Sequence, residues 1–279
     1  MSPGAQGPGL PGKAARVGVL LVVLAVTVMW ASSRTSARRA RTNWEQPVRI
    51  AVVVIGEASP VAMATLRATL EALAARLAAA RAAHDPAAVG ETFSVEVVGP
   101  LDVDRLPPTS APGPGLLERA LFTFELWRAT RAAHAAAPDF VPGAWDVRIY
   151  LLAAPPEDGA PRFAEGLGER GGELGVVRAR FDEAGALLAA AAVFHEAFHC
   201  LGASDKYDAL GHAVLPAGLA EPELQPRFPQ REAELMVGEV PLGPGAGRLP
   251  LGVHELGVGP VTAAEVGWLP PPAGAAGGR

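Results

Sequence analysis

Within residues 195–205, His195, Glu196 and His199 are followed by Gly202 and then by Asp205. Two imidazoles four positions apart lie on one face of a helix, close enough to share an ion. The carboxylate between them, Glu196, is then free to move protons rather than to bind. At this chain's residue frequencies, His-Glu-x-x-His alone arises by chance in about 1 of 100 such sequences, so the short motif decides little. Requiring Gly and Asp at the next two positions lowers that to roughly 1 in 30,000, and the longer pattern is the informative one.

The residues ahead of the motif predict the helix it needs. At about 100° per residue, Leu187, Ala191, Phe194, Phe198 and Leu201 fall on one side, facing a core, with Glu196 pointing away from them beside the histidines. Asp182 is the expected N-cap. Gly202 suits the left-handed residue that ends a helix and returns the chain, and Asp205 with it, toward the histidines. Zinc in hydrolytic sites takes three protein ligands and leaves a fourth position to an acidified water. His195, His199 and Asp205 are the expected ligands and Glu196 the expected base. An aspartate ligand leaves less positive charge than a third histidine would, so the water is less acidic and the base matters more. Asp208, His212, Glu232, Glu234 and His254 are the downstream alternatives for the third ligand.

The run HEAFHCLGASDKYD resembles the metzincin clan of zinc metallopeptidases, whose pattern is His-Glu-x-x-His-x-x-Gly-x-x-His or Asp. In its aspartate form it is similar to snapalysin and to secreted bacterial peptidases of the immune-inhibitor-A type, in which an Asp-x-Tyr also follows. The resemblance covers about fourteen residues. It implies a methionine-containing turn under the metal, for which Met236 is the candidate against the alternative of ordinary core filling; Tyr207 is a candidate stabiliser of the oxyanion, against local packing and hydrogen bonding at a turn. The resemblance also implies an edge strand that pairs with extended substrate. Residues Leu174, Gly175, Val176 and Val177 are the candidates for that strand, against the alternative of an ordinary sheet edge.

Composition fits an enzyme domain. The 279 residues are 49% hydrophobic, enough for one sizeable core, and 32 Gly with 27 Pro imply many loops. Residues 1–41 hold six of the 24 basic residues and no acidic one, which leaves 18 against 29, or −11, for the rest. A nucleic-acid partner is therefore not expected. Cys200 is the single cysteine, so no internal disulfide can form. Residues 17–33 are uncharged and mostly apolar between basic flanks, and are expected to be a single-pass membrane anchor with the catalytic domain exported. The alternative is a signal peptide cleaved after Ser33 and a secreted protein.

The expected organisation is residues 1–46 as anchor or signal segment with a tether, 47–272 as one zincin-like domain, and 273–279 as a disordered tail. Strands are expected at 48–55, 93–98, 146–153 and 173–181, the last after a glycine cluster at 166–172. Helices are expected at 60–83, with Leu66, Leu70, Leu73 and Leu77 inward, and at 116–137, with Leu117, Leu121 and Phe124 inward. Thr262 and Glu265 have capping-box spacing for a short helix, and His84 and His134 are expected at the surface. The fold class is α/β: a mixed twisted sheet with two backing helices, an active-site helix and an irregular C-terminal lobe. The expected function is zinc-dependent hydrolysis of peptide bonds in peptide or protein substrates. A silent membrane-tethered zinc module and a zinc hydrolase of non-peptide amides or esters are the alternatives.

Overall fold

Residues Val48–Gly56 form β1, and the run of Val and Ile there explains its place. β-Branched side chains fit a pleated strand covered on both faces, and every residue from Ile50 to Ile55 is buried. In this computed structural model, which describes residues 16–18, 20–22, 24–25, 43–113, 115–156 and 163–269, four further strands join it. They are β2 (Phe93–Leu101), β3 (Val147–Ala154), β4 (Phe163–Gly168) and β5 (Leu174–Arg180), in the order β2-β1-β3-β5-β4. All neighbours are parallel except β4, which runs antiparallel to β5 at the edge. The fold is thus α/β with a mostly parallel five-stranded sheet.

Alternation along β1 divides the interior. Ile50, Val52 and Val54 face one cluster, and Ala51, Val53 and Ile55 face the other. The first cluster is covered by α1 (Pro60–His84) and α3 (Ala186–Leu201), the second by the last turns of α2 (Leu116–Ala136). Ser59 caps α1 by accepting from Ala62 N at 3.0 Å, with Pro60 at the first turn. Leu66, Leu70, Leu73 and Leu77 are fully buried as the stripe predicts.

Helix α2 departs from expectation. Leu117, Leu121 and Phe124 are exposed, and Ala129, Thr130 and Ala133 are the buried residues, because the helix meets the sheet only toward its C-terminal end, where Leu126 and His134 also pack. Leu121→Ala should therefore shift unfolding free energy by no more than about 0.5 kcal/mol. Leu70→Ala should cost roughly 2–5 kcal/mol. Urea unfolding of the two variants measures both, and equal costs would mean that α2 is buried in solution.

Past residue 205 the chain forms two small sheets, β6 (Ala233–Glu234) with β9 (Leu256–Gly257) and β7 (Val240–Gly243) with β8 (Ala246–Arg248). Helix α4 (Pro260–Glu265) follows. The expected capping box is not made: Gly259 is the N-cap, Thr262 Oγ1 donates to Glu234 Oε1 at 2.7 Å, and Glu265 binds Ser204 and Lys206. Nor are the two helical histidines solvated. His84 Nε2 meets Val258 O at 2.6 Å, and His134 Nε2 meets the Tyr150 hydroxyl at 3.0 Å, where burial pushes the phenol up to about 12.

The chain divides into residues Met1–Ala40 and Arg41–Arg279. Trp44, expected in the tether, belongs to the core of the second unit. Its Nε1 donates to Val266 O at 2.8 Å, its ring stands edge-on to Phe93 and Trp268, and Arg81 lies over it at 5.0 Å. The N-terminal anchor is corrected as well. Among the described residues no helix is long and apolar enough to cross a membrane, so a single-pass N-terminal anchor is not supported. A helix needs about 20 residues to cross a hydrocarbon core of about 30 Å. Positions 19, 23 and 26–33 of the 17–33 stretch, and the tail at 273–279, lie outside the described residues.

Candidate metal centre

Helix α3 is built from Ala and Leu with few β-branched residues, a composition that favours helix before any packing. Asp182 does not cap it. Gly185 is the N-cap, and Asp182 Oδ1 accepts the Gly185 N–H at 3.0 Å in the turn before it. At the other end Gly202 adopts φ 114°, a conformation that residues with a Cβ rarely take, and Ala203 N donates back to Phe198 O at 2.9 Å. Phe194, Phe198 and Leu201 are buried in the core, and Leu187 and Ala191 pack against that core half-buried while also lining an open groove.

The turn at Gly202 brings Asp205 back against both histidines. Asp205 Oδ1 lies 3.1 Å from His195 Nε2 and 3.1 Å from His199 Nε2. The opposite ring nitrogens are tied to backbone carbonyls, His195 Nδ1 to Leu235 O at 3.0 Å and His199 Nδ1 to Ala203 O at 3.0 Å. Only an N–H can approach a carbonyl in this way, so each neutral ring turns its Nε2 lone pair toward the carboxylate. Lone pairs at such distances need a positive charge between them, either ring protons or a cation. Ligand atoms around a tetrahedral zinc stand about 3.3 Å apart, so the spacing fits that ion. Without a cation, hydrogen bonds from His195 and His199 hold the Asp205 carboxyl below its usual range. Burial would lower His199, but its hydrogen bonds to Asp205 and to Ala203 O, with the charges of Glu196 and Asp205, keep it raised.

Ligand atoms of His195, Glu196 and His199 lie within 4.8 Å of one another, a cluster that could hold a metal ion. Asp205 stands outside that grouping, yet its oxygen makes the shorter approaches to both rings. Glu196 is 4% exposed, and its Oε2 is buried without a hydrogen-bond partner. Burial raises its carboxyl above the ordinary range, opposed by His195 and His199. A Cβ on Gly166 or Gly168 of β4 would collide with this carboxylate, and one on Gly175 would press on its Cβ. The glycines that punctuate this part of the sequence are the space in which Glu196 sits.

A groove of about 750 Å³ opens beside His195 and Glu196, between Gly166 of β4 on one side and Leu235 and Val237 on the other. Tyr207 borders it, 40% exposed, its ring 6.2 Å from that of His195. Burial first, then the charge of Asp205, raises the Tyr207 phenol. The edge strand here is β4. Leu174, Gly175, Val176 and Val177 lie in β5, which is paired on both sides, by β3 and β4, so its backbone has no free edge for substrate. The pattern F-A-E-G-L-G concealed β4, because glycine weakens a strand signal.

Residues 234–238 form a turn in which Val237 N and Gly238 N both donate to Glu234 O, with Met236 fully buried. The turn reaches the site through Leu235 O, the acceptor of His195. Three of the other candidate ligands, Asp208, Glu232 and Glu234, are engaged elsewhere, and His212 lies apart from the cluster. Asp208 binds Leu210 N and His212 N, Glu232 pairs with Arg76 at 2.6 Å, and His212 faces Glu239 at 3.6 Å. Glu234 is fully buried, held by Gly259 N, Thr262 and Met236 N, and burial pushes it up to about 7. His254 lies in a short 3-10 turn, Val253–Glu255, outside the cluster. Sequence reasoning missed Glu265 and Lys206 as supports of the site, since no local pattern joins residues about sixty positions apart.

No known protein-family model, no curated protein and no solved structure matches the chain. What the centre can do follows from its own residues: two oriented imidazoles and a carboxylate suited to a cation, and a second, partnerless carboxylate at the edge of an open groove.

Proposed function

We propose that the protein is a metal-dependent hydrolase, with His195, His199 and Asp205 as ligands and Glu196 as general base. More particularly, it is a zinc endopeptidase of the metzincin type. The observation that carries this is the convergence of both Nε2 atoms on Asp205 beside a buried Glu196 whose Oε2 has no partner.

Zinc held here would supply Lewis acidity and make water acidic enough to attack near neutral pH. Glu196 takes the proton of the attacking water as the oxygen bonds to the carbonyl carbon. It then delivers that proton to the amine as the carbon–nitrogen bond breaks. Tyr207, at the border of the groove, donates to the oxygen that gains charge. β4 offers its unpaired edge to an extended chain, which supports a peptide as substrate. Met236 takes the part of the methionine turn behind His195. A silent metal module gives no reason to bury a carboxylate oxygen without a partner.

The test is zinc content and casein hydrolysis on the full chain. About one zinc per chain is expected, with hydrolysis lost on chelation and restored by zinc. Hydrolysis that survives complete removal of metal would sink the proposal.

A further inference from the structure

Asp205 lies past the end of α3, its side chain 45% exposed, and a ligand on a loop needs something to hold its backbone. Both of its chain neighbours are gripped by one carboxylate. Glu265 Oε2 accepts from Ser204 N at 2.9 Å and from Lys206 Nζ at 2.7 Å, and Oε1 accepts from the Ser204 hydroxyl at 2.8 Å. Lys206 Nζ also donates to Ser204 O at 2.7 Å and to Ser204 Oγ at 2.8 Å, closing the ring of contacts around the loop. The Lys206 side chain is only 5% exposed, and its ammonium is paired with Glu265. Arg170 completes the cluster, donating to Gly202 O at 2.7 Å with Nη2 3.8 Å from Glu265 Oε1.

We infer that Glu265 is a positioning residue for the metal centre, fixing Asp205 against His195 and His199 through Ser204 and Lys206. The inference rests on the proposed metal site. Glu265 touches neither the histidines nor the groove, so it acts on metal affinity through the placement of Asp205. The last turn of α4 thus becomes part of the centre although it lies sixty residues along the chain from the ligand it serves.

The experiment is competition for zinc against a chromogenic chelator, on full-length wild type, Glu265→Gln, Asp205→Ala and the double variant. Glu265→Gln should weaken zinc binding by about 10–100-fold, as the loss of an outer support of a ligand does. In the Asp205→Ala background the same substitution should change affinity by less than about twofold, since nothing is left to position. Unchanged affinity in Glu265→Gln overturns the inference and leaves the metal site standing. An equal loss in both backgrounds also overturns it, because the effect would then be general. Ser204→Ala keeps the lysine pair and covers the case in which Glu265→Gln does not fold. It should cost about fivefold, and no change would overturn the inference. A wild type that takes up no zinc removes the metal site and this inference together.

Discussion

Glu196→Gln should lower the kcat of peptide hydrolysis by about 10²–10⁴-fold while leaving one zinc per chain in place. Glutamine keeps the shape that fills the space against Gly166, Gly168 and Gly175, so the groove and the histidines should stay where they are. What is removed is basicity. Burial already holds this carboxyl above its ordinary range, which makes it a stronger proton acceptor than an exposed glutamate. Because the native Oε2 is buried without a partner, an uncharged amide should not destabilise the fold, and the midpoint of thermal unfolding should stay level or rise. Two measurements on one variant decide the matter. Unchanged hydrolysis would sink the general-base role. Loss of zinc together with activity would make Glu196 a ligand, the arrangement that its distance to the two histidines alone would also allow.

Features written within one turn of chain were legible in advance. The histidine spacing, the left-handed end at Gly202 and the leucine stripe of α1 depend on neighbours three or four residues apart, and the structure bears them out. The apolar face of α3 was legible as a face, but its environment was not. Phe194 and Phe198 are enclosed by core, whereas Leu187 and Ala191 on the same side pack against it with one flank open to the groove, and periodicity cannot distinguish the two. Strand β4 was hidden for a physical reason, because the glycines that make room for Glu196 are the residues that erase a strand pattern. Residues Leu174–Val177 then received the role of an edge that belongs one strand further out. Helix α2 departs in the opposite sense: Leu117, Leu121 and Phe124 have helical spacing, yet contact with the sheet is made further along, by Leu126, Ala129, Thr130, Ala133 and His134.

The supports of the site were illegible because they are long-range. Glu234 reaches Gly259 and Thr262, 25 and 28 positions away, and Glu265 reaches Lys206 and Ser204, 59 and 61 positions away. Only folding brings the α4 segment under both the 234–238 turn and the Asp205 loop. Thr262 and Glu265 have the spacing of a local cap, and each spends its polar atoms on a distant carboxylate or loop instead. A buried hydrogen bond that fixes two segments competes well against a cap whose backbone donors can be met by water.

Asp205→Ala should reduce zinc affinity by orders of magnitude, beyond the roughly 10–100-fold typical of an outer support. Asp208→Ala should leave it within about twofold. The two aspartates are three residues apart, and their surroundings separate them. Asp205 Oδ1 sits 3.1 Å from both Nε2 atoms, while Asp208 spends its side chain on Leu210 N at 2.8 Å and His212 N at 3.1 Å. A chelator competition on both variants checks this, and equal losses would move the third ligand elsewhere. Acid should act in the same sense as the substitution. In the metal-free protein the lowered Asp205 carboxyl stabilises the fold above its unfolded pKa of about 3.9, and that contribution is lost as pH falls through its folded value. The raised His199 contributes below its unfolded value of about 6.5 and loses that contribution as pH rises through its folded value. The metal-free pair therefore stabilises between about 4 and somewhat above 6.5, a window that Asp205→Ala should flatten. Zinc competes with the ring protons that create the window. Bound metal should extend the stability of wild type toward alkaline pH and be released on acidification, and neither change should appear in Asp205→Ala.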